Sequence, residues 1–136
     1  MRRPVVLDSY ALLALFREEK GYKKVLDALT SVDSEYPAYM SVINLGEIYY
    51  ITRKKQNIHQ AELALSSALQ LPIFFLDADF EITYQAVLLK AQYKMSYADA
   101  FAAGLTIQKK GILLTGDSEF MNLRDVKNFH VEFIHD

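Results

Sequence analysis

Short unbroken apolar runs alternate along the chain with longer stretches of helical spacing. Val5-Val6-Leu7, rich in β-branched residues, is the first apolar run, and Asp8 ends it. From residue 9 to about 18 the spacing turns helical, with Leu12, Leu15 and Phe16 on one side, and Gly21 breaks it. A second helix over 22–31 groups Val25, Leu26, Leu29 and Val32. Pro37 favours an extended approach to Tyr39-Met40-Ser41, a second strand, and Ser41 can cap a helix over 42–54. Asn57-Ile58 is a break before helical spacing over 59–69. Ile73-Phe74-Phe75-Leu76 reads as a third strand, and Asp79 can cap a helix over 80–93. Ser96 starts a helix over 96–109 that is rich in small residues suited to packing against a sheet. Ile112-Leu113-Leu114-Thr115 is a fourth strand. A helical turn over 118–123 and a last strand over 130–134 complete the order. Fully apolar strands separated by helices indicate an α/β fold with a parallel sheet covered on both faces.

Composition narrows the chemistry. The 136 residues fit one domain over 1–136, with no repeat or linker visible. A chain of this size buries about 65–70% of its unfolded surface. There is no cysteine, so disulfides and thiolate metal sites are excluded. With three His, a metal site would rest on oxygen ligands, which favours Mg²⁺ or Mn²⁺. No apolar stretch is long enough to suggest a membrane span, and Met1-Arg2-Arg3-Pro4 does not lead into a signal peptide, so a cytoplasmic protein is expected. The net charge of −2 does not announce nucleic-acid binding. Local basic clusters do occur, at Arg53-Lys54-Lys55, at Lys109-Lys110, and at Arg17 with Lys20, Lys23 and Lys24. By itself each reads as a solvated surface.

Four acids stand out by placement. Asp8 follows the first strand and Asp117 the fourth, Glu47 lies in the helix after the second strand, and Asp99 lies in the first turn of the helix before the fourth. In an open α/β sheet ligands gather outside the carboxyl ends of the strands, so all four can reach one edge. Each also has an ordinary structural role. Asp8 can cap a helix, Asp99 forms Ser-x-x-Asp with Ser96, and Asp117 follows a glycine in a turn. Glu47 is the hardest to explain structurally, having apolar neighbours and no Lys or Arg at i+4. Four grouped carboxylates are costly without a cation, and a divalent ion removes that cost. The second acidic group, Asp77, Asp79 and Glu81, reads as a turn and a capped helix, and His130 and His135 receive no role. Tyr10 and Tyr97 each lie beside a site acid.

Four segments carry a resemblance: Val6-Leu7-Asp8-Ser9-Tyr10-Ala11-Leu12-Leu13, Asn44-Leu45-Gly46-Glu47-Ile48-Tyr49-Tyr50, Ser96-Tyr97-Ala98-Asp99-Ala100, and Leu114-Thr115-Gly116-Asp117-Ser118-Glu119-Phe120. In order and spacing the chain resembles the PIN-domain nucleases, and more narrowly the VapC toxins of toxin–antitoxin pairs. The resemblance implies a three-layer α/β/α sandwich with a mostly parallel sheet. It implies an endoribonuclease dependent on Mg²⁺ or Mn²⁺, with Asp8, Glu47, Asp99 and Asp117 as metal-binding, catalytic acids and Thr115 as a catalytic hydroxyl. It also implies a homodimer and a cognate antitoxin partner related to VapB. Three rivals are an RNA-processing PIN nuclease with no antitoxin, an inactive PIN-like binding module, and a receiver-like phosphoacceptor domain. The last should show an acidic pair after the first strand and a Lys after the last, where this chain has Asp8-Ser9 and no Lys after Ile134.

Overall fold

Five strands, β1 (Val5–Leu7), β2 (Ala38–Ser41), β3 (Ile73–Leu76), β4 (Ile112–Thr115) and β5 (Val131–Phe133), form one sheet in the order β3-β2-β1-β4-β5. Every pairing is parallel. The structure, a computed structural model, describes residues 1–135. Between the strands lie α1 (Ser9–Arg17), α2 (Tyr22–Thr30), α3 (Val42–Lys55), α4 (Ile58–Leu69), α5 (Phe80–Gln92) and α6 (Tyr97–Gln108), and a 3₁₀ turn (Ser118–Leu123) follows β4.

Strand alternation divides the core in two. Val6 and Leu113 point to one face, where α5, α6 and the 3₁₀ turn supply Ile82, Ala86, Leu89, Phe101, Leu105 and Phe120. Leu7, Leu114, Ala38 and Met40 belong to the other, packed on Leu12 of α1, Val25 and Leu29 of α2 and Ile48 of α3. This is the three-layer α/β/α sandwich that the alternation of apolar runs and helices implied. The chain leaves β1 in one direction through β2 and β3, then crosses back to β4 and β5. The switch therefore lies between β1 and β4.

Most element starts follow their capping residues. Asp8 accepts from the Ala11 amide, Ser41 from Ile43, Asn57 from Gln60, Asp79 from Ile82 and Ser96 from Asp99. Three expectations need revision. Gly21 does not end α1. Glu18 does so in the left-handed conformation (φ 51°), and Gly21 stands as the N-cap of α2. The apolar run of β3 is not covered on both faces, because β3 is an edge strand and Phe74 is 61% exposed. The small residues of α6 serve a helix as well as the sheet. A Cβ on Gly104 would lie 3.2 Å from the Ala86 backbone nitrogen and 3.3 Å from Gln85 Cβ, so its lack of a side chain is what lets α5 close on α6. Ala100 through Thr106 are all buried, and the Thr106 hydroxyl is satisfied by the Ala102 carbonyl at 2.8 Å.

Candidate metal centre

Helices α1 and α3 leave the sheet at the carboxyl ends of β1 and β2, and α6 begins at that same edge before running back toward β4. The first turns of three helices and the turn after β4 thus meet at the switch between β1 and β4, where an open α/β sheet holds its ligands.

Asp8 is 2% exposed and fully engaged on its protein side. Its Oδ1 accepts from the Ala11 amide at 2.9 Å and its Oδ2 accepts from the Thr115 hydroxyl. Capping and site placement are the same geometry here, since a carboxylate has lone pairs beyond those two bonds. Thr115 is fully buried, and its oxygen also accepts from the Asp117 amide at 3.0 Å. Asp117 in turn accepts from the Glu119 amide at 2.9 Å. On the other side, Glu47 Oε1 accepts from the Ser9 hydroxyl at 2.9 Å and from Asn44 Nδ2 at 3.0 Å. Asn44 Nδ2 also donates to the Ala98 carbonyl at 3.2 Å, which ties α3 to the start of α6. Asp99 is half-buried in the first turn of α6, and its amide donates to Ser96 Oγ at 3.1 Å.

These groups line a cleft of about 460 Å³ that includes Asp8, Ser9, Tyr10, Glu47, Asp99, Asp117 and Glu119, with Arg17 and Lys55 among its remaining walls. The structure brings the four acids named from the sequence to one cleft, with Thr115 beneath them. Among the described residues the tightest group is different: one carboxylate oxygen each from Asp99, Asp117 and Glu119 lie within 4.8 Å of one another. Sequence spacing did not single out Glu119. Its signal was the pair of acids two apart in the turn after a strand, which the 3₁₀ turn folds to the same side. Asn44 was missed as well, although it stands three residues before Glu47, where a helix places neighbours. His135, given no role, has Nε2 3.1 Å from the Tyr10 hydroxyl. The Tyr10 ring closes over Gly116, where an added Cβ would lie 2.1 Å from Cε1. Asp79 is the cap of α5, as its turn position suggested.

Crowding shows in the acids' protonation. Burial lifts the Asp8 carboxyl to about 7, and the charges of Asp117 and Glu47 add to the rise against the hydrogen bonds from Thr115 and Ala11. Burial also lifts Asp99, to about 8, helped by the charges of Asp117 and Asp8, a hydrogen bond with Asp117, and Glu47. Oxygen donors that hold protons this tightly suit a hard divalent cation, which would take the protons' place.

A model of the PIN domain family matches residues 5–126. No curated protein matches the sequence. Among solved structures, the chain is similar to VapBC2 from Rickettsia felis bound to a DNA fragment from its promoter, at 18% identity and TM-score 0.72, covering 95% of this chain and 97% of that one. It is similar to a toxin–antitoxin complex from Klebsiella pneumoniae, at 19% identity and TM-score 0.65, covering 92% and 94%. It is also similar to Mycobacterium tuberculosis VapC20, a sarcin–ricin loop cleaving toxin, at 15% identity and TM-score 0.70, covering 90% and 97%.

Proposed function

We propose, on the premise that this chain belongs to the PIN domain family, that it is a divalent-metal-dependent endoribonuclease and the toxin of a toxin–antitoxin pair. One observation carries the reading: Asp8, Glu47, Asp99 and Asp117, drawn from four separate elements, line one cleft at the β1–β4 switch. The family match sets aside the receiver-like alternative. Its choice between a toxin and an RNA-processing nuclease leans on the neighbours, which include a toxin–antitoxin complex and a sarcin–ricin loop cleaving toxin. A cognate antitoxin and a homodimer belong to the same proposal, as does a single nuclease domain spanning the chain in the cytoplasm. Among the described residues no helix is long and apolar enough to cross a membrane.

Asp8, Asp99, Asp117 and Glu47 would hold Mg²⁺ or Mn²⁺, with Glu119 close enough to Asp99 and Asp117 to share the task. When bound, such an ion supplies the positive charge that stabilises a phosphoryl transition state and makes a bound water more acidic. The chain's own work is to keep the acids in place. Thr115 holds Asp8 and the Asp117 amide at once, and Ser9 and Asn44 hold Glu47 from two helices. Outer contacts of this kind orient metal-binding carboxylates and are typically worth about 10–100-fold in affinity or activity.

The test is digestion of mixed cellular RNA with Mg²⁺ or Mn²⁺, with EDTA, and with Asp99→Asn. Wild type is expected to cut only with metal, and Asp99→Asn to lose more than about a hundredfold, beyond the usual effect of an outer contact. A loss of only a few-fold, or cutting that survives EDTA, would sink the assignment.

A further inference from the structure

Helices α1 and α3 both start at the acid edge and both end in basic residues, Arg17 on α1 and Arg53, Lys54 and Lys55 on α3. Arg17 lies about 13 Å along α1 from Asp8, and Lys55 about 12 Å along α3 from Glu47, at 1.5 Å per residue. Of these basic side chains, Arg17 and Lys55 line the cleft together with the acids, and Arg53 and Lys54 do not. The cleft therefore has an end made of acids and an end where Arg17 and Lys55 stand with one acid, Glu19.

Cations in the last turn of a helix are ordinary, because they complement its dipole. The dipole does not account for their state here. Six acids line the same cleft, Glu19 among them, yet neither Arg17 nor Lys55 makes an ion pair among the described residues, while Arg2 pairs with Asp33 and Lys24 with Glu132. One guanidinium nitrogen of Arg17, Nη2, is buried with no hydrogen-bond partner. A guanidinium with an unpaired donor on the wall of a cleft is suited to a charge-assisted bond to an anion such as phosphate.

We infer that Arg17 and Lys55 form a phosphate-holding subsite that grips the RNA backbone beside the bond held at the acids. The inference rests on the nuclease reading and adds to it. It answers a difficulty of that reading, since a chain of net charge −2 with a six-acid cleft would otherwise repel a polyanion. The acids require a cation at one end, and the subsite draws the strand in from the other.

The experiment is a fluorescence-anisotropy titration of a short randomised single-stranded RNA, in Mn²⁺, at several KCl concentrations. An Asp99→Asn background prevents cutting, and calorimetric Mn²⁺ titration of the same proteins without that change reports the acids separately. Arg17→Gln and Lys55→Gln are each expected to weaken RNA binding several-fold and to flatten the log–log salt slope by about 0.7, with Mn²⁺ binding unchanged. Arg17→Lys should recover part of the slope. Lys23→Gln, at an exposed cation on α2 away from the cleft, should leave the affinity near that of the parent. Unchanged affinity and slope in both variants, or an equal loss in Lys23→Gln, would overturn the subsite and leave the nuclease reading standing. A wild type that binds no Mn²⁺ would instead remove the metal centre, and one that binds Mn²⁺ but no RNA would remove the subsite.

Discussion

At the scale of single residues, the protonation of Asp8 and Asp99 makes stability and metal binding depend on pH in opposite senses. Both carboxyls sit far above their ordinary 3.8, at about 7 and about 8. Between roughly pH 4 and 8 the folded, metal-free chain holds protons that the unfolded chain has already released. The stabilisation from these two groups is complete at the acid end of that window and is lost as pH rises through it. A divalent cation competes for the same oxygens, so its own stabilising effect grows as the protons leave. Thermal melts in EDTA are expected to show a Tm lower by several degrees at the alkaline end, with Mn²⁺ restoring most there. A Tm that stays flat in EDTA, with Mn²⁺ acting equally across the range, would contradict the paired burial of the two acids. The sequence singled out these acids by their place at strand ends but did not show their protonation. Burial of Asp8 beneath β4 and its bond to Thr115 join positions 107 apart, which no local pattern reveals. Glu119 escaped notice for a related reason, since only the 3₁₀ turn brings it to the Asp99 side.

Among the elements, the helices and strands were largely legible because caps and apolar runs mark them locally. Ser41, Asp79 and Ser96 each cap the helix they precede. What the runs did not contain was position within the sheet. Ile73-Phe74-Phe75-Leu76 looks like an interior strand, yet it is an edge with Phe74 outward, because apolar character does not say how many neighbours a strand has. The direction of α6's small face was also ambiguous, and the structure turns Gly104 toward α5. That contact is testable. Gly104→Val would push side-chain carbons into the Ala86 backbone, and overpacking of this kind costs about 1–3 kcal/mol. Urea denaturation should show the midpoint falling at unchanged slope, with the shift times the slope equal to that cost, and no change would mean that α5 yields freely.

For the whole molecule, the β3-β2-β1-β4-β5 order is what places the cleft, since it puts the ends of β1 and β4 side by side. The sequence showed parallel strands with acids at their ends, but the crossing that makes β1 and β4 neighbours is a property of the completed sheet. The proposed homodimer belongs at this scale. Light scattering of purified protein is expected to give about twice the chain mass of 15.6 kDa, and a monomer at every concentration would remove the homodimer from the proposal.

The adjacency of β1 and β4 also bears on how the protein is made. Val5 pairs with Ile112 and Asp8 leans on Thr115, so the cleft closes through partners from opposite ends of the chain. A polypeptide still emerging from the ribosome can form α1, β2 and the hairpin of helices after it while Asp99 and Asp117 are still to come and Asp8 lacks Thr115. Under the proposed function, the acids that would cut RNA are assembled only after β4 has left the ribosome.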